Sequence, residues 1–235
     1  MGNNEQGEII IMHIGKSDPS LGRQVEAFLK EKGLNTPTID ISHFTGDQRV
    51  RLIQASMEDI LKTIGMDLTD DSLQDTPLRI AKMYVHELFW GLNPDNFPKC
   101  TTVANKMNYN KSFVLEKNIT VHSFCEHHFV AIDGFASVAY IPRNEVLGLS
   151  KLNRITQYFA KRPQVQERLT EQIAETLSFI AKTPDVAVHI NASHFCVKTR
   201  GIQDVSSTTE TFASRGVFAD LNSPLRREFL SLLSH

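Results

Sequence analysis

Cysteine and histidine are the residues of this 235-residue chain whose types and spacing can do chemistry. Five of its nine histidines lie between His122 and His194, in the interval that also holds Cys125 and Cys196. The dense piece is Cys125-Glu126-His127-His128, and His194-Phe195-Cys196 follows 66 residues after His128. A thiolate and an imidazole three residues apart can be offered by one turn to one ion, and Cys196 can add a third soft ligand from a neighbouring strand. Sulfur and imidazole at ~2.0–2.3 Å in a tetrahedral site favour Zn2+ over Mg2+ or Ca2+. Three protein ligands leave a position open, which suits a catalytic ion better than a structural one. C-x-x-H alone is a motif that chance supplies readily, and its pairing with H-x-C on an apolar strand is what lifts it. His122, three residues before Cys125, stands as either a fourth ligand or a strand-end histidine beside the site. Cys100 has no histidine or cysteine near it in sequence.

The neighbours of these residues follow from strand and helix geometry. On a strand, His194 and Cys196 are two apart and share a face. His127 is expected to point elsewhere on the turn than His128 and to be free to move protons near neutral pH. Ser150 and Lys151 open a helix after Gly148, with Arg154 one turn on, so backbone N–H groups and two cations are available to phosphate. Lys198 and Arg200 add cations before Gly201; the plain alternative for each is a solvated, charged face. Glu167, just inside the next helix, is either a first-turn acid favourable to the helix dipole or a base reader, because a carboxylate can accept two parallel hydrogen bonds from the edge of guanine. Gly15-Lys16-Ser17 resembles the end of a phosphate-binding loop, but Ile10 stands where the first glycine is required, so it is read as tail.

The elements that must position these groups are legible as a change of period. Helical spacing places Val25, Phe28 and Leu29 on one face of 22–32, and Val50, Ile53, Met57, Ile60, Leu61 and Ile64 on one face of 47–64. A third helix is expected from an Asp75 N-cap with Pro77 in its first turn, through Leu88. After Pro98 the period becomes two, with strands at 112–121, 129–141, 185–199 and 207–213; helices at 150–161 and 164–182 lie between the second and third, and one at 224–233 closes the chain. The plan is α+β: a tail at 1–20, an N-terminal helical region at 21–98 and an antiparallel sheet with two packed helices at 99–235.

Composition excludes several classes. With 25 Lys and Arg against 27 Asp and Glu the formal charge is −2, which argues against nucleic-acid binding or an anionic-membrane surface. Three cysteines are no disulfide framework, and with no apolar run of ~18 residues the chain reads as cytoplasmic and without a membrane segment.

Four motifs together give the chain a family resemblance: Cys125-Glu126-His127-His128-Phe129, Gly148 to Arg154, Arg162 to Arg168, and His194 to Gly201. With Thr76 to Tyr84 on the third helix, the stretch from about Asp47 to His235 resembles GTP cyclohydrolase I of the bacterial type. The resemblance implies a tunnelling fold (T-fold) and a homodecamer of two pentamers with active sites at subunit interfaces. It implies conversion of GTP and water to formate and 7,8-dihydroneopterin triphosphate, the first step toward tetrahydrofolate. Cys125, His128 and Cys196 match the zinc ligands, and zinc would acidify the water that attacks C8 of the purine. His194 matches the residue that protonates N7, His127 a second proton-transfer residue, and Ser150 one associated with the ribose rearrangement. Gln166 and Glu167 match guanine-recognition positions. Lys151, Arg154 and Arg200, with Arg79 from a neighbouring subunit, match the triphosphate cradle. The alternative from another class is a non-catalytic, zinc-stabilised T-fold module that holds a purine or pterin, for which His122 or Cys100 would close the metal shell.

Overall fold

The change of period after Pro98 marks the passage from helices to sheet. The computed structural model describes residues 16–233, in which no helix is long and apolar enough to cross a membrane. Two compact units divide these residues: Thr36–Trp90, and 16–35 together with 91–233.

In the first unit, α2 (Gly46–Thr63) opens on a capping box: the Thr45 hydroxyl accepts from Gln48 N–H at 3.2 Å, and Gln48 Oε1 accepts from Thr45 N–H at 2.7 Å. α3 (Thr76–Lys82) begins with Pro77 near its first turn, but Asp75 is not the expected side-chain cap. Its backbone is already helical, and its carboxylate lies 3.5 Å from Arg79 instead. The helix then widens into a π turn at Met83–Leu88, where Phe89 N–H reaches back to Tyr84 O at 3.1 Å. Of the apolar stripe expected to face inward on α2, Val50 is buried, whereas Ile60 and Ile64 are 48% and 67% exposed.

In the second unit, α1 (Pro19–Glu31) packs against the short 3-10 turn Pro94–Asn96. Gly22 permits the contact, because a Cβ there would lie 2.0 Å from Pro94 O. Residues 1–15 of the expected tail are outside the described residues, while Ser17 bridges Pro98. A short ribbon pairs β1 (Thr102–Ala104) with β4 (Glu145–Leu147). The main sheet contains β2 (Val114–Cys125), β3 (Ala131–Tyr140), β5 (Pro163–Gln164), β6 (Val186–His194) and β7 (Thr209–Ser214), in the order β5-β2-β3-β6-β7. Its pairs are antiparallel except β2 with β5. α4 (Ser150–Ala160) and α5 (Gln166–Ala181) lie on this sheet, burying Leu152, Ile155 and Phe159 from one helix and Leu169, Ile173 and Leu177 from the other. α7 (Pro224–Leu233) closes a second cluster with Phe113, Phe218 and Phe229.

The strand expected over 185–199 stops early. Pairing with β3 ends at Ile132↔His194 and pairing with β7 ends at Ala192↔Thr209. Beyond His194 no strand continues the ladder, and the backbone turns into the one-turn helix α6 (Phe195–Lys198), with Thr199 N–H on Phe195 O at 2.9 Å.

One buried cation fastens α1 to the end of α4. Arg162, 1% exposed, ion-pairs with Glu26 and lies against the rings of Tyr158 and Phe159 at 4.6 and 4.8 Å. Removing only the carboxylate strands a buried charge, so Glu26→Ala is expected to cost about 3–5 kcal/mol in urea unfolding. A loss below about 1 kcal/mol, the range of an exposed pair, would show that the contact fastens nothing.

Candidate metal centre and active site

β2 ends at Cys125, and a turn carries the chain back into β3. The turn is closed by Cys125 N–H to Val130 O at 2.8 Å and by Phe129 N–H to Cys125 O at 2.9 Å. Phe129 adopts a φ of 53°, a left-handed conformation that costs a residue with a side chain roughly 1–2 kcal/mol. The turn is also clamped from the side. Glu126 N–H donates to Gln164 O at 3.0 Å, and its carboxylate ion-pairs with Arg168 on α5. Arg168 Nε donates in turn to Gln164 Oε1 at 3.1 Å, and Gln164 Nε2 to Gln172 Oε1 at 2.8 Å.

Cys125, His128 and Cys196 converge, each offering one ligand atom, with all three atoms within 4.8 Å of one another. His128 presents Nδ1, 3.9 Å from Cys125 Sγ. Tetrahedral zinc bonds of ~2.0 and ~2.3 Å would separate nitrogen and sulfur by about 3.5 Å, so the donor set fits such an ion after a small inward movement. Burial, and then the bond to and charge of Cys125, push the Cys196 thiol above its ordinary pKa. A bound cation works in the opposite direction, since coordinating thiols are deprotonated.

The residues around this cluster depart from expectation in several ways. Cys196 sits on α6, so it and His194 are not successive residues on one strand face. His127 does not turn away: its Nδ1 is 3.7 Å from Cys125 Sγ, and its Nε2 is 3.9 Å from Glu126. His122 is outside the cluster, with Nδ1 2.7 Å from Asp133 across the sheet, so neither it nor Cys100 closes a fourth position among the described residues. Gln166 is not open to a base. Its side chain is 1% exposed and bonded throughout, with Oε1 2.7 Å from His194 Nε2. Glu167, the next residue, is exposed. Burial lowers the pKa of His194, and the Glu167 charge opposes that shift.

The cations fall into groups. Arg200 Nη1 lies 2.6 Å from His128 Nε2. Ser150 and Lys151 stand on the first turn of α4 and Arg154 one turn on; Lys151 N–H and Leu152 N–H are taken by Gly148 O and Leu149 O at 2.8 and 3.1 Å. The side chains, rather than those N–H groups, are therefore what this helix offers to phosphate. Burial pushes the Cys100 thiol up to about 12, with Lys151 and Arg154 drawing it the other way. Arg79 is on α3 in the first unit, paired with Asp75. The Glu126–Arg168 clamp and the Gln166–His194 bond were missed in sequence. Their only trace is that Gln164, Gln166 and Arg168 alternate through one motif.

Comparison with known proteins decides the family. The sequence profile of GTP cyclohydrolase I matches residues 53–234. The chain belongs to the GTP cyclohydrolase I family. Among its relatives, "GTP cyclohydrolase 1" of Mannheimia succiniciproducens is 50% identical over 90% of this chain and 95% of its own. That of Histophilus somni is 51% identical over 89% and 95%, and that of Shewanella denitrificans 51% over 88% and 94%. The 211 residues aligned with the Mannheimia protein are more than lie between Asp47 and His235, so family likeness reaches further toward the N-terminus than the motifs alone indicate. Among solved structures, the archaeosine synthase QueF-Like in the apo form overlays 45% of this chain and 94% of its own at a TM-score of 0.38 and 22% identity, too distant to inform the site.

Two substitutions separate the cysteines. Cys196→Ser is expected to lose bound metal after dialysis, whereas Cys100→Ser keeps the wild-type metal-to-chain ratio by elemental analysis. Arg168→Met, which frees the metal turn from α5, is expected to weaken metal binding roughly 10- to 100-fold in chelator competition.

Proposed function

We propose that this chain is a zinc-dependent GTP cyclohydrolase I that hydrolyses GTP at C8 of the purine, releases formate and forms 7,8-dihydroneopterin triphosphate, the first step toward tetrahydrofolate. The observation that carries this reading is the convergence of Cys125, His128 and Cys196, with His194 two residues before Cys196 and Glu167 exposed, in a chain of this family. Zinc on the three ligands would supply Lewis acidity and bring the pKa of water toward ~7.

The remaining work falls to the chain's own side chains. His194 gives a proton to N7 as the imidazole ring of the base opens, and His127, the exposed histidine of the metal turn, moves a second. Glu167 accepts from the N–H and the amino group on the guanine edge, a pair that adenine does not offer. Lys151, Arg154 and Arg200, with Arg79 from a neighbouring subunit, neutralise the triphosphate, and Ser150 serves the ribose rearrangement. With a net charge of −2, this reading requires the cations to be concentrated at the site rather than spread over the surface.

The fold is read as a T-fold, supported by the mostly antiparallel sheet with α4 and α5 packed on it. Assembly is read as a decamer of two pentamers with sites completed between subunits, supported by apolar side chains exposed on one chain, among them Ile64, Val103, Ile202 and Val205. Three free thiols support a reducing, cytoplasmic setting.

The zinc-loaded protein should release formate from GTP and not from ATP, with the oxidised pterin product seen by fluorescence. Undiminished turnover after complete metal removal would sink the reading. Glu167→Gln should lower kcat/KM for GTP roughly 100-fold without changing the melting temperature, since the lost acceptor faces substrate rather than core. Unchanged kcat/KM would remove Glu167 from base reading.

A further inference from the structure

Gln166 is the buried polar side chain closest in sequence to the proposed base reader, and its hydrogen bonds have only one consistent direction. Thr170 Oγ1 is 2.7 Å from the backbone O of Gln166, and a carbonyl can only accept, so Thr170 donates there. Thr211 Oγ1 is 2.6 Å from Thr170 Oγ1. With the Thr170 proton committed, Thr211 must donate to Thr170, and its own oxygen is left as an acceptor. Facing that oxygen at 3.1 Å is Gln166 Nε2, which also faces Ile190 O at 3.1 Å and Thr209 O at 2.9 Å. Turning the amide over would press Oε1 against two carbonyls and a hydroxyl with no proton to give. Its orientation is therefore set by three acceptors at a site where Gln166 and Thr170 are each 1% exposed.

The remaining atom, Oε1, is 2.7 Å from His194 Nε2. A carboxamide oxygen has no proton, so the hydrogen between them belongs to the imidazole. A neutral imidazole carries one N–H, which leaves Nδ1 as its bare nitrogen. We propose that Gln166 is a positioning residue that holds His194 in its Nε2–H tautomer, so that Nδ1 is the atom through which His194 exchanges a proton with substrate.

This deepens the proposed function and rests on its assignment of proton transfer to His194. It also replaces guanine contact as the duty of the Gln166 side chain. Gln166 ties the start of α5 to β6 and β7, and the same three elements thereby fix which nitrogen of the imidazole carries the lone pair. When the imidazolium gives its Nδ1 proton to N7 the ring is left neutral as the Nε2–H tautomer that Gln166 Oε1 accepts from; without that acceptor either nitrogen can be left bare, a fault that falls on the chemical step rather than on binding.

The test is the nitrogen-15 spectrum of histidine-labelled, zinc-loaded full-length protein, with His194 identified by its loss in His194→Asn. Neutral His194 is expected to show a protonated Nε2 and a bare Nδ1; a protonated Nδ1 with a bare Nε2 would overturn the proposal. Gln166→Leu should abolish the single tautomer and lower kcat on GTP roughly 10- to 100-fold, with KM changed less than about 3-fold. A raised KM with kcat preserved would return Gln166 to substrate binding and defeat the assignment. If Gln166→Leu does not fold, the wild-type spectrum decides. Wild-type protein with Nε2–H on His194 that released no formate from GTP would sink the proposed function and leave the tautomer lock standing. Formate release with the opposite tautomer would do the reverse.

Discussion

The convergence of Cys125, His128 and Cys196 depends on β3 being paired along both of its edges. On one side Phe124 lies opposite Ala131, and on the other Ile132 lies opposite His194, so the ends of β2 and β6 are one strand apart. Neighbouring strands are ~4.8 Å apart, which places the two backbones that carry the ligands about 10 Å from each other. The gap is closed from both sides. The turn after Cys125 folds His128 back toward the sulfur, and α6 winds Cys196 up beside the end of β6. A straight strand would have carried Cys196 about 7 Å beyond His194, at ~3.3 Å per residue; a helical turn advances ~1.5 Å per residue and keeps the thiol near the strand end. The break in β6 is thus a condition of the ligand cluster. A register slip of one residue in either pairing would turn the facing side chains to the opposite side of the sheet.

The next layer is polar, and its unusual feature is glutamine. Gln164, Gln166 and Gln172 are all buried, and each amide is engaged by named partners: Gln164 with Phe159 O, Gln172 and Arg168, Gln172 with Leu34 O, and Gln166 with β6, β7 and His194. Satisfied buried amides are rigid, because any rotation leaves a donor or acceptor unmet in a low-dielectric surrounding. That rigidity is passed to the site along two routes. Arg168 holds Glu126 and so the metal turn, while Gln166 holds the imidazole of His194. The strained Phe129 persists in such a setting because the hydrogen bonds on either side of it determine the path of the chain.

Much of this was legible in residues and spacing. The C-x-x-H and H-x-C motifs name the three side chains that converge, and the switch of hydrophobic period places β2, β3, α4, α5 and α7 within a few residues of their observed bounds. What stayed hidden was set by tertiary contact. The apolar alternation of Val186, Val188, Ile190 and Ala192 slips by one residue before Phe195 and Val197, but such a slip fits a bulge as well as a strand end; the end at His194 is decided by where β3 and β7 stop pairing. Asp75 has the composition of a helix cap, but its backbone is already helical, and so its carboxylate is free to pair with Arg79. The stripe on α2 is a true amphipathic pattern, yet in one chain Ile60 and Ile64 meet solvent, and a periodicity cannot say whether its partner belongs to the same chain.

Gln166 and Glu167 show most clearly where sequence reasoning stops. As neighbours in one motif they invite a shared role, but successive residues on a helix are turned by about 100° from one another. On the first turn of α5 that rotation sends one amide into the core, where every atom is bonded, and leaves the adjacent carboxylate outside. The inner residue then bonds within the protein, and the outer one is left open to solvent, where the proposed base-reading role requires it. Their proximity has an electrostatic consequence as well. The Glu167 charge acts on His194 against the effect of burial, so the group proposed to read the base and the group proposed to protonate it are coupled through the same turn of helix.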